Sequence, residues 1–538
     1  MKKFVVFINP PNTNDELLKT EVKTSVKRII PISNSVTKGV EHTDWANFPH
    51  LGILSLASYI QNETEFEAVY FDCVVCPLSF VYSYLEQNRE QVVAVCLSLL
   101  TANYEIGQTM ARQIKRLDDS ITVVAGNDHI SAMYEEVFEN AENYIDFGLV
   151  GNDCHKSLAT LMSQLSQPRV VLIPEKIPAL IYRYQHQTLK TPEKKEEIYT
   201  KIDYRLIDKV FEHSNSYTSN FQNRLGPTLA RLLNRPVKKG VPIELARGCL
   251  KFCNNDPCSF CSIHHSGVWK NSVPSGEIAW EAIKNAHDNG YDYLYVTADE
   301  LPLTFPKLIK DMHRTRPSWF LSLPDSKRPV LMGYGRADGM NNVCLMTKMR
   351  EVGFRIIYIG IDAGAKKSLQ ALNKPLNNGR GMTRATLLNE QNKKALTNAR
   401  KAGLIVKAGF VLGHLGMDQD LLDENLSNFV EIIREGQDSV VSVDVELLSP
   451  EPGSMEYNYL LSPQRAAEKA KELSLEISPE SFLSSISEKY FGKDQFNREE
   501  GIEDYITAFM PRLDYSILVN ARTYLRNECK KLGLVVGE

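Results

Sequence analysis

Four cysteines lie close together in one short segment, ELARGCLKFCNNDPCSFCSI: Cys249, Cys253, Cys258 and Cys261. Because a short segment can wrap around a single centre, thiolates at this spacing are expected to bind one metal ion or one cluster. An iron–sulfur cluster, which proteins hold through cysteine thiolates, is one interpretation. A structural zinc ion is the second. A disulfide or a chance grouping of cysteines is the third.

Structural zinc usually takes two separated pairs of Cys or His ligands. No second distant cysteine pair accompanies this segment, although His264 and His265 follow it closely. The other six of the ten cysteines are scattered along the chain: Cys73, Cys76, Cys96, Cys154, Cys344 and Cys529. Without a signal peptide or a small disulfide framework, this usage predicts a reducing compartment.

The composition is that of an ordinary globular protein, with 43% hydrophobic and 24% charged residues. A length of 538 residues predicts several domains. The 62 basic and 66 acidic residues nearly cancel, so no basic surplus points to nucleic acid or to an anionic membrane. No apolar run reaches the roughly 18 residues of a membrane helix. The N-terminal MKKFVVFINPP is interpreted as a buried strand, and the protein is predicted to be cytoplasmic.

Residues 1–165 alternate short apolar strands with helices. The predicted strands are 4–8, 66–73, 92–99, 121–126 and 144–151. This alternation predicts a parallel, doubly wound α/β sheet. Ligands of such sheets lie at the carboxyl ends of the strands, where the residues here are small and polar. These strand ends are either ligand contacts or simple turns, and no G-x-G-x-x-G follows the first strand to suggest a dinucleotide site.

The rest of the chain divides into three parts. Residues 166–240 are predicted to be a connector, with a solvated charged run, KTPEKKEE. Residues 456–538 are predicted to be helical. Between them, 241–455 contains six predicted strands: 242–247, 293–300, 329–338, 354–364, 404–416 and 439–453. Six strands with five intervening helices predict a barrel or partial barrel, in which chemistry lies in the loops after the strands. The cysteine segment follows the first of these strands.

At this point several motifs resemble those of the radical SAM superfamily, in particular its cobalamin-binding branch. In the second series the similar pieces are RGC at 247–249, CSFCSI at 258–263, GIDAG at 360–364, SLQALNKPLN at 368–377, GFVLGHLG at 409–416 and SPEPGS at 449–454. In the first part they are INPP, FPHLGILSLASYI, VVAGNDHIS and IDFGLVGND. Their order and spacing are more specific than any single motif.

The resemblance covers most of residues 1–460 and implies an α/β fold in four parts. These are an N-terminal doubly wound, Rossmann-like cobalamin-binding domain (1–165), a connector (166–240), a partial (β/α)6 radical SAM barrel (241–455) and a helical C-terminal domain (456–538). The cofactors that it implies are a [4Fe-4S] cluster, S-adenosylmethionine (SAM) and cobalamin.

The implied activity is reductive cleavage of SAM to a 5′-deoxyadenosyl radical. The expected reaction is methylation of an unactivated carbon or phosphorus of a small-molecule or natural-product intermediate. A flavodoxin or ferredoxin is the expected electron donor, and no nucleic acid or membrane partner is expected. Two alternatives remain open: a radical SAM enzyme whose cobalamin-like domain is apo, and a non-catalytic zinc-binding module.

The cysteine spacing departs from the usual CxxxCxxC, because NNDP separates its two halves. Three ligands are needed, since one iron stays open for SAM. The resemblance assigns Cys249, which follows Arg-Gly, and the pair Cys258 and Cys261, which brackets Ser-Phe. The set Cys253, Cys258 and Cys261 remains open as the alternative.

The resemblance also implies contacts to the two organic cofactors. The SAM contacts are Phe260, Asp299, Glu300, Arg336, Asp362, His414 and Gly416. Arg336 is expected to form a fork with the methionine carboxylate, or otherwise a surface ion pair. Asp362 is expected to accept from a ribose hydroxyl, or otherwise to cap a helix.

The cobalamin contacts implied by the resemblance are Asn9, Pro10, Pro11, Ser98, Gly126, Asn127, His129, Gly151 and Asn152. Because no DxHxxG motif occurs, no histidine ligand to cobalt is expected from that motif. Asn127 stands where the family has a second glycine, so its side chain is expected to crowd the corrin.

Overall fold

The computed structural model describes residues 2–12, 47–167, 172–253, 256–263, 270–374, 388–436 and 438–536. The chain divides into two compact units. The first runs to Ile243 and includes Glu281–Leu294, whereas the second contains the cysteine segment and Tyr295–Glu538. The four-part division proposed from the sequence stays a prediction. Within these ranges, no helix is both long and apolar enough to cross a membrane.

The first unit is built around a seven-stranded sheet in the order β2-β1-β3-β4-β5-β6-β7. Its strands are β1 (Phe4–Asn9), β2 (Glu67–Asp72), β3 (Val92–Ser98), β4 (Thr122–Gly126), β5 (Phe147–Leu149), β6 (Leu180–Tyr184) and β7 (Gln187–Lys190). Its helices are α1 (Leu51–Glu63), α2 (Leu78–Asn88), α3 (Tyr104–Leu117), α4 (Asp128–Glu139), α5 (His155–Leu165) and α6 (His213–Leu233).

The five strands from β1 to β5 are parallel, whereas β6 and β7 pair antiparallel. The central strand β1 is a continuous apolar run whose residues from Val5 to Ile8 are fully buried. Such a run is typical of a parallel strand covered on both faces. In the order 2-1-3-4-5 the strand order reverses between the parallel strands β1 and β3, where ligands of flavodoxin-like sheets bind.

The doubly wound α/β fold predicted for the N-terminal part is confirmed. The predicted connector, however, also contributes the hairpin β6–β7 to this sheet and the 21-residue helix α6. The expectation that KTPEKKEE is a solvated run is wrong at Thr191 and Glu196, which are buried. Glu196 accepts a hydrogen bond from the backbone N–H of Lys156 at 3.2 Å, and this contact holds the run against the sheet unit.

The second sheet has seven strands in the order β16-β15-β14-β13-β12-β11-β8. The remaining strands are β8 (Gly240–Ile243), β9 (Ala246–Gly248), β10 (Lys270–Ser272), β11 (Tyr293–Val296), β12 (Val330–Arg336), β13 (Phe354–Asp362), β14 (Ile405–Leu412), β15 (Val440–Leu447) and β16 (Val535–Val536). The remaining helices are α7 (Leu250–Cys253), α8 (Gly276–Asp288), α9 (Pro306–Arg314), α10 (Ser318–Ser322), α11 (Val343–Glu351), α12 (Lys366–Ala371), α13 (Leu388–Lys401), α14 (Gln419–Gly436), α15 (Met455–Leu461), α16 (Pro463–Leu473), α17 (Glu480–Tyr490), α18 (Arg498–Phe509) and α19 (Tyr515–Lys531).

The strands of the predicted barrel follow one another in sequence order, and β12 to β15 pair in parallel. The partial βα barrel is therefore confirmed. The prediction of one strand over 242–247 is wrong, because β8 ends at Ile243 and the next strand, β9, pairs antiparallel with β10. Arg247 stabilises the interruption between β8 and β9, because its Nε donates to Glu244 Oε1 at 2.7 Å. The C-terminal part is helical as predicted, with β16 added at the edge of the sheet.

Candidate functional site

Three of the four clustered thiols are neighbours in the second unit. The pKa of Cys249 is raised to about 11, mainly by burial and also by the nearby Cys258, while Arg336 opposes the shift. Burial also raises the pKa of Cys261, with added contributions from Cys258 and Cys249. Cys253 ends the short helix α7 and is exposed. The structure thus brings together Cys249, Cys258 and Cys261, and the assignment of the ligands stays a prediction.

This set of donors suits a cluster better than a single ion. Within the part of the chain that the structure describes, no three Cys, His, Asp or Glu side chains converge closely enough to hold one metal ion. A four-iron cluster separates its thiolates by its own irons and sulfides, and three thiolates leave one iron open. His264 and His265, which the zinc alternative would recruit, lie outside the described residues.

A buried ion pair braces the expanded spacing between the two halves of the cysteine motif. Lys251 is only 1% exposed, and its Nζ lies 2.8 Å from Asp256 Oδ2. Asn373 donates to the other oxygen of Asp256 at 2.7 Å and to the carbonyl of Pro257 at 2.6 Å. This brace, which we call the loop brace (Lys251, Asp256 and Asn373), fixes the chain directly before Cys258.

Asp299 and Glu300, which follow β11, fix the backbone on either side of Cys249. The Gly248 N–H donates to Asp299 Oδ2 at 2.5 Å. Glu300 is fully buried and accepts from the backbone and the hydroxyl of Thr304, both at 2.6 Å. Thr304 Oγ1 in turn accepts from the N–H of Leu250 at 3.0 Å. Glu300 was predicted to contact SAM, but the structure places its carboxylate inside this turn, whereas Asp299 is exposed.

Arg336 makes the predicted fork, but with a partner from its own chain. Its Nε and Nη2 each lie 3.0 Å from one oxygen of Asp338. Nη2 also donates to the Lys374 carbonyl at 2.8 Å, and Nη1 lies 3.9 Å from Cys258 Sγ. The alternative of a surface ion pair is wrong, because the pair is buried, whereas the fork to the methionine carboxylate stays a prediction.

Asp362 forms a second buried ion pair, with Lys374. Burial alone would lower the pKa of Lys374, but the Asp362 carboxylate raises it above its ordinary value. Gly360 leaves room for the pair, since a Cβ there would lie 3.0 Å from Asp362 Oδ1 and 3.1 Å from Lys374 Nζ. Asp362 therefore ends β13 as the partner of a cation, where ribose binding or helix capping was expected.

His414 is fully buried in a hydrogen-bond network. Its Nδ1 donates to the Leu415 carbonyl at 2.9 Å, and its Nε2 accepts from Ser368 Oγ at 2.7 Å. Asn425 donates to the same hydroxyl at 2.6 Å and accepts the N–H groups of Gly364 and Ala365, which follow β13. Burial lowers the pKa of His414 to about 4, so the ring is neutral. Both ring nitrogens are used to fix the loop after β13, and the contact of His414 with SAM stays a prediction.

Gly416 was also expected to contact SAM, yet the fold surrounds it. Its φ of 70° lies in the left-handed region, and a Cβ there would approach Leu475 Cβ to 2.4 Å. Its N–H donates to the carbonyl of Phe509 at 2.8 Å. Of the residues predicted to contact SAM, Phe260 and Asp299 are the ones left partly or fully exposed.

A buried acid lies behind the cysteine motif. Ser259, between Cys258 and Phe260, accepts the backbone N–H of Glu456 at 3.1 Å. The Glu456 carboxylate accepts from the Tyr505 hydroxyl and is fully buried. Burial raises the pKa of Glu456 to about 7, although Ser259 and Tyr505 oppose the shift. Glu456 therefore docks the helix α15 onto the cluster motif.

Three half-exposed tyrosines on adjacent strands form what we call the tyrosine row (Tyr295, Tyr334 and Tyr358). The hydroxyl of Tyr295 donates to that of Tyr334 at 2.7 Å, and the rings of Tyr334 and Tyr358 are 5.1 Å apart. Lys407 continues the row, with its Nζ 6.0 Å from the Tyr358 ring. Tyr334 lies two residues before Arg336, so both point to the same side of β12, about 7 Å apart along the strand. Aromatic faces of this kind suit a planar ligand.

The loop brace, Lys374, Glu456 and the tyrosine row were not predicted from the sequence. Two of these left a signal in the sequence. Lys374 belongs to the ALNKPLN motif, whose last three residues lie outside the described residues. Tyr334 and Arg336 share the period of two that assigns side chains to one face of a strand. Glu456 left no local signal, because its partner Tyr505 is distant in sequence, and neither did the contact of Asp256 with the distant Asn373.

In the first unit, the residues after β1 and β3 are anchors of the sheet. Asn9, Pro10, Pro11 and Ser98 are buried. Asn103 donates to the carbonyl of Pro10 at 3.1 Å and to that of Ser98 at 3.3 Å, tying the two strand ends together. The contact of these four residues with cobalamin stays a prediction, and their more exposed neighbours form the accessible edge.

Asn127 adopts a φ of 80° and a ψ of −170°, a region that glycine normally occupies. Its amide donates to Ser98 Oγ at 2.9 Å and accepts the N–H of Asp128 at 2.8 Å, which caps α4. The protein itself holds both ends of this amide, which does not support the expected crowding of the corrin. His129 is fully buried and its ring stacks on that of Tyr104 at 4.0 Å, and its contact with cobalamin stays a prediction.

The accessible part of this edge consists of small residues at the ends of β3, β4 and β5. Thr101, Ala102, Gly126 and Gly151 are half-exposed, and Asn152 is exposed. They offer backbone groups and short side chains at the strand ends where doubly wound sheets bind ligands. This edge fits a large cofactor bound by its faces and edges, without an accessible histidine from α4.

Comparison with known proteins agrees with this architecture. No protein-family model matches the chain. The anaerobic magnesium-protoporphyrin IX monomethyl ester cyclase of Rubrivivax gelatinosus is 23% identical over 395 residues, which are 70% of this chain. The chain spans 61% of the length of that curated relative.

Two solved structures have the same arrangement. The radical SAM methyltransferase TsrM of Kitasatospora setae, with cobalamin and a [4Fe-4S] cluster bound, gives a TM-score of 0.57 at 15% identity, over 87% of this chain and 79% of TsrM. The cobalamin-dependent SAM radical enzyme OxsB, with aqua-cobalamin bound, gives 0.59 at 15% identity, over 88% of this chain and 62% of OxsB. The resemblance in the motifs thus extends to the architecture, and the chain has the fold of the cobalamin-dependent radical SAM enzymes.

Proposed function

We propose that this chain is a cobalamin-dependent radical SAM enzyme. The observation that carries the proposal is the proximity of Cys249, Cys258 and Cys261 to one another, with Arg336 beside Cys258, in a chain with this fold. In this proposal the three thiolates hold a [4Fe-4S] cluster and leave one iron open for SAM. When bound, the cluster and SAM supply a 5′-deoxyadenosyl radical by one-electron reductive cleavage.

The residues of the chain then bind and orient the cofactors and shield them from water. Asp299 and Glu300 fix the turn that carries Cys249, and the loop brace fixes the approach to Cys258. The neutral His414 holds the loop after β13 without bringing a charge. The half-exposed Phe260, between two of the thiolates, offers an aromatic edge to the adenine.

Cobalamin is proposed to bind the first unit along the edge formed by Thr101, Ala102, Gly126 and Gly151. Methyl transfer to an unactivated carbon or phosphorus of a small molecule is the proposed reaction. TsrM, which shares this fold, is a methyltransferase, and this likeness supports that reaction class. A flavodoxin or ferredoxin is the proposed electron donor, and the cytoplasm the proposed location.

A second candidate reaction uses the same cofactors. The curated relative is named a cyclase, which favours radical ring formation on a substrate. The tyrosine row supports a planar substrate in either case, because three adjacent phenol rings present aromatic surface.

Labelled SAM separates the two reactions. Anaerobically reconstituted protein is incubated with methyl-labelled SAM, cobalamin, a strong one-electron reductant and a panel of candidate intermediates. Label in the product, together with 5′-deoxyadenosine, supports methyl transfer, whereas 5′-deoxyadenosine with an unlabelled cyclic product supports ring formation. The Cys258→Ser variant is the control and is expected to form neither product. Wild-type protein that contains four irons but releases no 5′-deoxyadenosine would contradict the proposed function.

A further inference from the structure

The guanidinium of Arg336 is almost completely committed to the protein. The side chain is buried, and its Nε and Nη2 both donate to the Asp338 carboxylate. Nη2 also donates to the carbonyl of Lys374. Of the five N–H donors of an arginine, those on Nη1 are directed at Cys258 Sγ, 3.9 Å away. A sulfur acceptor is large and soft, so a contact of this length is a weak hydrogen bond to the thiol.

A second buried cation stands beside the first. The carbonyl of Lys374 accepts from Arg336, and its ammonium pairs with Asp362. The charges of these two cations also act on Cys258, because Cys258 raises the pKa of both Arg336 and Lys374. Each cation has its carboxylate partner, so Cys258 lies next to a compact group of two ion pairs.

The potential of an iron–sulfur cluster depends on net charge, on hydrogen bonds to its sulfurs and on burial. Reduction by one electron adds a negative charge, which a neighbouring cation and an N–H donor to sulfur stabilise. In a buried site this stabilisation is larger than in water, because the surroundings screen it less. A carboxylate at the same place acts in the opposite direction.

We infer that Arg336 is a positioning residue that holds Cys258 and raises the one-electron reduction potential of the cluster bound there. The inference rests on the proposed function, because it requires that Cys258 hold the cluster. It replaces the expected contact of Arg336 with the SAM carboxylate. Asp338, on the other side of the guanidinium, sets how much of this positive charge reaches the sulfur.

The test is a redox titration of anaerobically reconstituted full-length protein. A titanium(III) or dithionite reductant is used, and the reduced cluster is followed by electron paramagnetic resonance. For Arg336→Gln, the equilibrium constant for reduction is expected to fall about tenfold, which lowers the midpoint potential by about 59 mV for one electron. For Asp338→Asn, the midpoint potential is expected to rise. Opposite shifts from two adjacent substitutions distinguish an electrostatic effect from general damage to the site.

The matched control is Arg355→Gln. Arg355 is another buried arginine and pairs with Asp325. It lies near the start of β13, whereas Arg336 is the last residue of β12, so the two arginines are at opposite edges of the parallel sheet. Its replacement is expected to leave the midpoint potential unchanged. A variant Arg336→Gln that holds four irons at the wild-type potential would overturn the inference and leave the proposed function intact.

If Arg336→Gln binds no iron, Asp338→Asn decides: a raised potential supports the inference and an unchanged potential overturns it. Wild-type protein that binds no four-iron cluster would refute the proposed function instead.

Discussion

The single residue Cys253 distinguishes the two possible ligand sets. It is exposed, whereas Cys249, Cys258 and Cys261 act on one another electrostatically. Cys253→Ser is therefore expected to keep about four irons per chain and the brown colour after anaerobic reconstitution. Cys249→Ser is expected to lose most of both, because one of three ligands is removed. Iron analysis and visible absorption measure the outcome, and the reverse pattern would establish the alternative set with Cys253.

A second residue, Glu456, makes stability depend on pH. Its pKa is about 7 in the folded chain because burial disfavours the carboxylate, against an ordinary value of 4.5. Between these values the folded chain keeps a proton that the unfolded chain has released. The free energy of unfolding that Glu456 contributes therefore falls as the pH rises from about 4.5 to about 7. The full effect is about 3 kcal/mol.

Glu456→Gln is expected to remove this decline, since an amide holds no charge. Urea unfolding of wild type and variant at a series of pH values measures it. The two curves are compared as a difference, because His414, with its pKa lowered to about 4, changes stability in the opposite direction below its ordinary value of 6.5. The exposed Glu499→Gln is the control. A constant difference between Glu456→Gln and wild type over this pH range would contradict the assignment.

At the scale of elements, the loop brace carries the expanded cysteine spacing. Asp256→Asn leaves the buried ammonium of Lys251 without its carboxylate. Removing one partner of a buried ion pair costs about 3–5 kcal/mol, so a decrease of this size in the free energy of urea unfolding is expected. Asp288→Asn is the matched control, because Asp288 forms an exposed pair with Lys284. That substitution is expected to cost less than about 1 kcal/mol, and equal losses in the two variants would show that the brace does not stabilise the segment.

The turn after β14 depends on Gly416. Gly416→Ala is expected to lower the free energy of unfolding by more than about 1 kcal/mol, because alanine resists the φ of 70° and its Cβ would collide with Leu475. Gly290→Ala is the control: its φ is 83°, but a Cβ there meets nothing within 4 Å. The excess loss at Gly416 over Gly290 isolates the collision from the backbone strain. Thermal unfolding of the two variants measures this difference, and an excess of zero would show that Leu475 moves aside.

The elements themselves were largely predictable from apolar periodicity. The predicted strand at 354–364 became β13 (Phe354–Asp362), and that at 92–99 became β3 (Val92–Ser98). The strand predicted at 242–247 is wrong because Glu244 interrupts the apolar run. Its carboxylate accepts a hydrogen bond from Arg247 at the interruption between β8 and β9. The hairpin β6–β7 was missed because its strands are short: β6 is apolar and buried only at Leu180 and Ile181, and β7 carries mostly polar residues without a clear alternation.

The site was less predictable than the whole fold. The order of motifs along the chain was sufficient for the architecture, because several of them mark the ends of successive strands, as GIDAG does for β13 and GFVLGHLG for β14. The roles of individual side chains depend on partners that only the folded chain supplies. Arg336 pairs with Asp338, and His414 forms a hydrogen bond with Ser368, so both side chains already have partners within the protein before any ligand binds. Sequence patterns identify which polar residues reach the carboxyl edge of a sheet, but not which of them the protein uses for itself.

For the whole molecule, the two units predict separate responses to the two metal cofactors. Ligands slow hydrogen exchange where they bind, because they stabilise the closed state of the segments that they contact. Hydroxocobalamin is therefore expected to slow amide exchange at the ends of β3, β4 and β5, in residues 98–103, 126–129 and 149–152. Anaerobic reconstitution with iron and sulfide is expected to slow exchange at 249–253 and 256–263. Mass spectrometry of peptides from the full chain reads both segments in one experiment. Cys258→Ser is expected to abolish only the second effect. Cobalamin that binds tightly but protects none of the three strand ends would show that the corrin is held elsewhere.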